Sequence, residues 1–221
     1  MSAAPGRSRS RRVRTALPVV LVAGAWLALA AWWTHGFTAF TFFSAAMAEA
    51  GPLPRPAPRF PVIDQAGRHL DLGAADGRFR LVQAMYVRCP DLCPLAMSRL
   101  QRLAARLADV PPERLMTVSV SVDHDPPDRL HTVWKAYGAP ANWTFVTPAG
   151  EDGDEALRAL GIGIYRRPDG LINHAVDIFV IDPAGRVVRI LPADEDLAKT
   201  AAAVREVIGR ASCRERVSCC V

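Results

Sequence analysis

Apolar and polar positions along this 221-residue chain alternate in three distinct ways. Residues 16–33 carry no charge at all and are rich in Leu, Val and Ala, with Trp32 and Trp33 at the far end. Residues 79–87 form a short, largely apolar run, the pattern of a buried strand. Residues 115–122 alternate strictly, Val118, Val120 and Val122 against Thr117, Ser119 and Ser121, which predicts a half-buried strand. Between these last two, Leu95, Leu100, Leu103 and Leu107, with Ala96 and Ala104, lay an apolar stripe along a helix that Pro94 opens at its first position.

Further along, residues 60–72 predict a small hairpin turning at Gly67. A helix over 128–137 ends at Gly138, and a short strand covers 143–146. A short helix over 154–160 ends at Gly161, and a Gly- and Pro-containing loop fills 161–173. A strand over 175–181 and a return strand over 186–191 are joined by Asp182-Pro183-Ala184-Gly185, and a helix over 194–207 follows. This order of elements predicts an α/β fold, a mixed sheet flanked by helices on both sides. Residues 51–58, with proline at alternate positions, read as a linker, so the globular domain is placed at 60–207. Residues 34–59 are juxtamembrane, and the 36–47 part fits either an interfacial stretch or a helix docked on the domain.

Composition narrows the picture. The net charge of +5 equals the contribution of Arg7, Arg9, Arg11, Arg12 and Arg14. Residues 49–207 hold 19 basic against 21 acidic side chains, so no basic face suits a phosphate backbone and nucleic acid is excluded as a partner. A basic tail at 1–15 before an uncharged span of about 17–25 residues predicts a retained signal-anchor at 16–33. That gives a single-pass protein of a bacterial-type inner membrane, with its domain on the periplasmic side. The alternative is a cleaved leader ending near Ala48-Glu49-Ala50, far beyond the apolar segment. After Val207 the composition changes abruptly. Residues 208–221, which hold three of the five cysteines, resemble a translated sequencing adapter and are set apart from the fold.

Cys89 and Cys93 are then the remaining cysteines, four positions apart at a strand-to-helix turn. Helix N–H groups and the helix dipole favour thiolate there. Such a pair can chelate a soft ion, Cu(I) or Zn, or close as a disulfide. Two sulfurs rarely complete a metal site. Among the five histidines, His174 and, less strongly, His124 stand in loops at strand ends, as ligands or as capping and packing residues. His35, His69 and His131 fit surface or packing roles.

Together, Cys89-Pro90-Asp91-Leu92-Cys93-Pro94, Ser119-Val120-Ser121-Val122-Asp123, His174 and Ile181-Asp182-Pro183-Ala184-Gly185 resemble the Sco/SenC family. These are membrane-anchored copper proteins of cytochrome c oxidase assembly. The resemblance covers 60–207 and implies a thioredoxin-like fold in which Cys89, Cys93 and His174 bind copper, Cu(I) or Cu(II). It implies delivery to the two-copper site of oxidase subunit II, or to another copper-enzyme apo-protein. The alternative is a thiol–disulfide reductase in which Cys89 attacks and Cys93 resolves, keeping the recipient's cysteines reduced. The chain departs from the family pattern at Asn173, where Asp is usual, at Val87, where Thr is common, and in a shortened loop over 123–127.

Overall fold

The computed structural model describes residues 8–89 and 92–218, with side chains for 17–89 and 94–211. Helix α1 (Ser8–Trp33) and helix α2 (Phe42–Glu49) precede an eight-stranded sheet. Its strands are β1 (Arg55–Pro56), β2 (Pro61–Asp64), β3 (His69–Asp71), β4 (Phe79–Met85), β5 (Leu115–Ser121), β6 (Trp143–Pro148), β9 (Ile178–Ile181) and β10 (Arg186–Leu191). They lie in the order β1-β10-β9-β4-β5-β6-β2-β3. Strands β4, β5 and β6 run parallel, while β9 and β2 flank them antiparallel. Helices α3 (Leu92–Arg106), α4 (Pro127–Ala136), α5 (Gly153–Leu160) and α6 (Leu197–Ser218) cover the two faces, and β7 (Ile164–Arg166) pairs with β8 (Ile172–His174) in a separate hairpin.

Successive residues of a strand face opposite ways, so each central strand supplies two cores. Val82, Val118, Val120 and Phe179 pack with Leu157, Leu160 and Ile172 on one side. Leu81, Phe145 and Val180 pack with Leu100, Leu103, Leu107 and Val204 on the other. All of β4 is buried. The alternation in β5 therefore does not mark a half-buried strand: Thr117, Ser119 and Ser121 are as buried as the valines. The hydroxyls are satisfied internally, Ser119 Oγ by the Trp143 indole N–H at 2.9 Å and Ser121 Oγ by donating to Asp125 at 2.8 Å.

The α3 stripe also shifts. Leu95 is exposed and Met97 takes its place with Leu100, Leu103 and Leu107, because five residues before Leu100 lies well off that face. The helix begins at Leu92, two residues before Pro94, which still lies in the first turn, where backbone N–H groups have no intrahelical partner.

The proline-rich 51–58 segment is not merely connecting chain. Its β1 pairs with β10, Arg55 against Val187, and the Arg55 guanidinium is buried against the Leu160 and Gly51 carbonyls. Helix α6 runs through the boundary at 207 to Ser218, with Ile208 in the core. Among the described residues no helix is long and apolar enough to cross a membrane. The expected span forms the later part of α1, whose opening turns are Arg-rich. Its uncharged part with described side chains, 17–33, is at the short end of the range of about 17–25 residues. The structure by itself thus does not supply the transmembrane helix that the sequence predicts.

Candidate metal centre

The centre is built at the carboxyl edge of the parallel strands. Strand β4 ends at Met85, and the Cys89 N–H donates to the Tyr86 carbonyl at 3.1 Å, turning the chain toward α3. Cys89 is partly buried against the core cluster that holds Tyr86, Val122 and Ile172. Cys93 is the second residue of α3, so its backbone sits in the first helical turn, at the positive end of the helix dipole. Its side chain, with Pro90 and Asp91, lies outside the described residues.

The parallel register carries β5 past the same edge, Met85 beside Ser121. The loop that follows meets the cysteine turn through Arg88, whose guanidinium donates to both oxygens of Asp123. The Ser121 hydroxyl in turn accepts from the Asp123 and Asp125 N–H groups, which fixes this loop.

His174 arrives from the other side. In the β4–β9 pairing Val82 faces Phe179, and the Gln83 side-chain amide donates to the Val176 carbonyl at 2.6 Å. That bond ties the segment just after His174 to β4, and Ile172, two residues before His174, lies in the cluster against which Cys89 packs. The histidine does not lead directly into a strand over 175–181, because β9 starts only at Ile178. It closes β8 instead, paired with Ile164. The expected loop over 161–173 is thus a hairpin whose turn is Pro168-Asp169-Gly170: Gly170 has φ 83° and the Asp169 carboxylate accepts from Leu171 N–H. That Pro-Asp-Gly triplet between two isoleucines is the signal sequence reasoning passed over.

The His174 ring is oriented by a backbone carbonyl. Its Nδ1 lies 2.9 Å from the Ala175 carbonyl, which can only accept, so Nδ1 carries the proton and Nε2 the lone pair. Burial lowers the ring's pKa from its ordinary value, against the Ala175 hydrogen bond, which favours the charged form. A neutral imidazole with one nitrogen fixed by a carbonyl is the form that binds metal. Asn173, beside it, points to the opposite face and is exposed.

The other histidines are engaged elsewhere. His124 Nε2 lies 3.2 Å from Asp154, which also accepts from Arg166, and Arg166 reaches the Val122 carbonyl at 3.0 Å. That clamp ties the β7–β8 hairpin to the loop after β5, a brace that the sequence did not reveal. His131 packs beside Trp134, while His35 and His69 are exposed. Among the described residues no group of three His, Cys, Asp or Glu side chains could hold a metal ion. Of the three expected ligands, Cys89 and His174 have described side chains, and topology directs both to one sheet edge.

Parallel strands with a cysteine turn feeding a helix at their carboxyl edge, completed by antiparallel strands, define a thioredoxin-like protein, here elaborated by the β7–β8 hairpin. The SCO1/SenC family model matches residues 49–209, and the chain belongs to that family. A Stutzerimonas stutzeri protein whose given name proposes copper binding is 25% identical over 140 residues, 61% of this chain and 68% of its own length. Among solved structures, Arabidopsis thaliana ScoI with copper bound superposes with a TM-score of 0.61 at 18% identity, covering 69% of this chain and 97% of that one. BsSco, described as a member of the Sco family of cytochrome c oxidase assembly proteins with a disulfide switch, gives 0.57 at 22% identity, covering 72% and 96%.

Proposed function

We propose that this protein is a membrane-anchored copper chaperone. Copper is its cargo, held by Cys89, Cys93 and His174 and passed to the two-copper site of cytochrome c oxidase subunit II during assembly. The observation that carries the reading is the His174 ring, its Nδ1 tied to the Ala175 carbonyl, on the segment that enters β9 at the sheet edge where Cys89 turns. Two sulfurs and an imidazole suit Cu(I) and also make Cu(II) tenable. Family membership and the copper bound in the Arabidopsis thaliana relative support copper as the cargo.

The anchor is part of the proposal. The residues of α1 from Leu17 to Trp33 are uncharged, and Leu17, Val19, Leu21, Trp26, Trp32 and Trp33 are exposed around the helix. A helix apolar on all sides is stable only in an apolar surrounding, and the Arg-rich start suits the cytoplasmic side. The domain then lies on the periplasmic side of an inner membrane.

A second reading is favoured by the cysteine pair at a helix start and by the disulfide switch described for BsSco. The Cys89 thiolate attacks a partner disulfide and releases one partner thiol. Cys93 then attacks the mixed disulfide, releases the second thiol, and leaves a Cys89–Cys93 disulfide for an external dithiol to reduce. Metal analysis of the copper-treated full chain separates the two readings. Delivery predicts one copper per chain that survives a chelator wash, and its loss to the chelator in each of Cys89→Ala, Cys93→Ala and His174→Ala. Full copper retention by His174→Ala with intact dithiol exchange favours the reductase.

A further inference from the structure

Helix α2 lies almost wholly before the family match, which begins at residue 49. It is nevertheless seated on the domain, directly behind the hairpin that carries His174. Its start is fixed by a reciprocal cap: Thr41 Oγ accepts from Ser44 N–H and Ser44 Oγ from Thr41 N–H. Ala46 is completely buried. At one end Glu49 pairs with Arg158 of α5 at 3.0 Å, and the same guanidinium lies over the Phe42 ring. At the other, Phe42 packs on Tyr165 of β7.

The central contact is closer still. A methyl group on Gly163 would come within 3.0 Å of the Phe43 ring and 3.1 Å of the Phe43 Cα. The glycine therefore allows α2 to approach the hairpin backbone itself. The Gly163 carbonyl accepts from Ala175 N–H at 3.0 Å, and the Ala175 carbonyl accepts from His174 Nδ1. Phe43, Gly163, Ala175 and His174 form one unbroken series of contacts.

We propose that α2 is a positioning element for His174, with Phe43 the positioning residue, so that the segment leaving the membrane anchor sets how firmly the imidazole is presented to cargo. The inference rests on the ligand role of His174 proposed above. With α2 seated, the hairpin is braced from behind by Phe43 and from the side by the Arg166–Asp154 clamp. With α2 displaced, the hairpin keeps the clamp and the core packing of Ile164 and Ile172 but loses the brace behind Gly163. Because residues 34–41 alone separate α1 from α2, a pull on the anchor reaches the ligand hairpin through a short connection.

The test uses the full chain in detergent, carrying Phe43→Ala, Gly163→Ala, the conservative Phe43→Leu, or His174→Ala. Hydrogen exchange at the Ala175 amide is followed without metal, and loss of added Cu(II) to a chelator is followed in parallel. Phe43→Ala and Gly163→Ala are each expected to speed Ala175 exchange and Cu(II) loss by about tenfold, while β4 and β5 amides stay protected. Phe43→Leu is expected to restore both toward the parent. Unchanged Ala175 exchange, or equal acceleration throughout β4 and β5, overturns the inference. So does faster Ala175 exchange with unchanged Cu(II) loss where His174→Ala itself speeds that loss. If His174→Ala leaves Cu(II) loss unaltered, the ligand role fails separately and the positioning of a ligand falls with it, whereas the exchange data still report whether α2 braces the hairpin.

Discussion

Arg88 grips Asp123 with two nearly parallel hydrogen bonds, Nε to Oδ2 at 2.6 Å and Nη2 to Oδ1 at 2.9 Å. The pair joins the residue immediately before the first cysteine to the loop after β5. A planar guanidinium can make this fork and an ammonium cannot. Because Arg88 is largely exposed, the pair does not anchor the fold as a whole.

Arg88→Ala is therefore expected to leave the melting temperature nearly unchanged while the Cys89 amide, bonded to the Tyr86 carbonyl, exchanges faster. Arg88→Lys should recover only part of the protection. Amide exchange by NMR checks this, and equal protection of Cys89 in all three proteins would show that the turn is held without the fork.

The buried face of β5 offers a stability prediction. Ser119 Oγ accepts the Trp143 indole N–H where both residues are sealed from water. Ser119→Ala should leave that donor unpaired and cost about 1–3 kcal/mol in urea denaturation. Removing both partners, with Trp143→Phe added, should cost less than the two single changes together. Additive losses would mean that the hydrogen bond is not what the buried serine supplies.

Asp177 gives the protein a pH dependence of its own. Burial raises its carboxyl pKa above the ordinary value of 3.8, the Ala193 N–H opposes that shift, and the Asp194 charge adds to it. The folded chain thus holds a proton that the unfolded chain releases. Stability should fall as pH rises from 3.8 through the raised value, and stay lower above it. Asp177→Asn, which can still accept from Ala193, should melt higher than the parent at pH 7 and lack this part of the pH slope. A variant that melts with the parent's pH slope would contradict the assignment.

Much of this arrangement is legible in the residues because local pattern and tertiary demand coincide. The β4 run is buried on both faces, Gly161 ends α5 in the left-handed conformation that glycine tolerates, and the cysteines sit where strand passes to helix. Where pattern and burial diverge, the sequence misleads. Ser119 and Ser121 look solvent-facing, but tertiary partners satisfy their hydroxyls in the core. Leu95 looks like core and is exposed, because helical phase rather than residue type decides the face. His174 reads as the prelude to a strand, although it ends a hairpin whose partner, Ile164, lies ten residues upstream. Nothing local in α2 announces that Phe43 fits over Gly163, since both sides of that contact are needed to recognise it.

The most direct test of the copper-site proposal is electron paramagnetic resonance of the full chain loaded with one equivalent of Cu(II), compared with His174→Ala. The account predicts a spectrum with both thiolate and imidazole-nitrogen coordination, and loss of the nitrogen hyperfine pattern in His174→Ala with sulfur ligation retained. An identical nitrogen pattern in the variant would contradict the assignment of His174 as the third ligand.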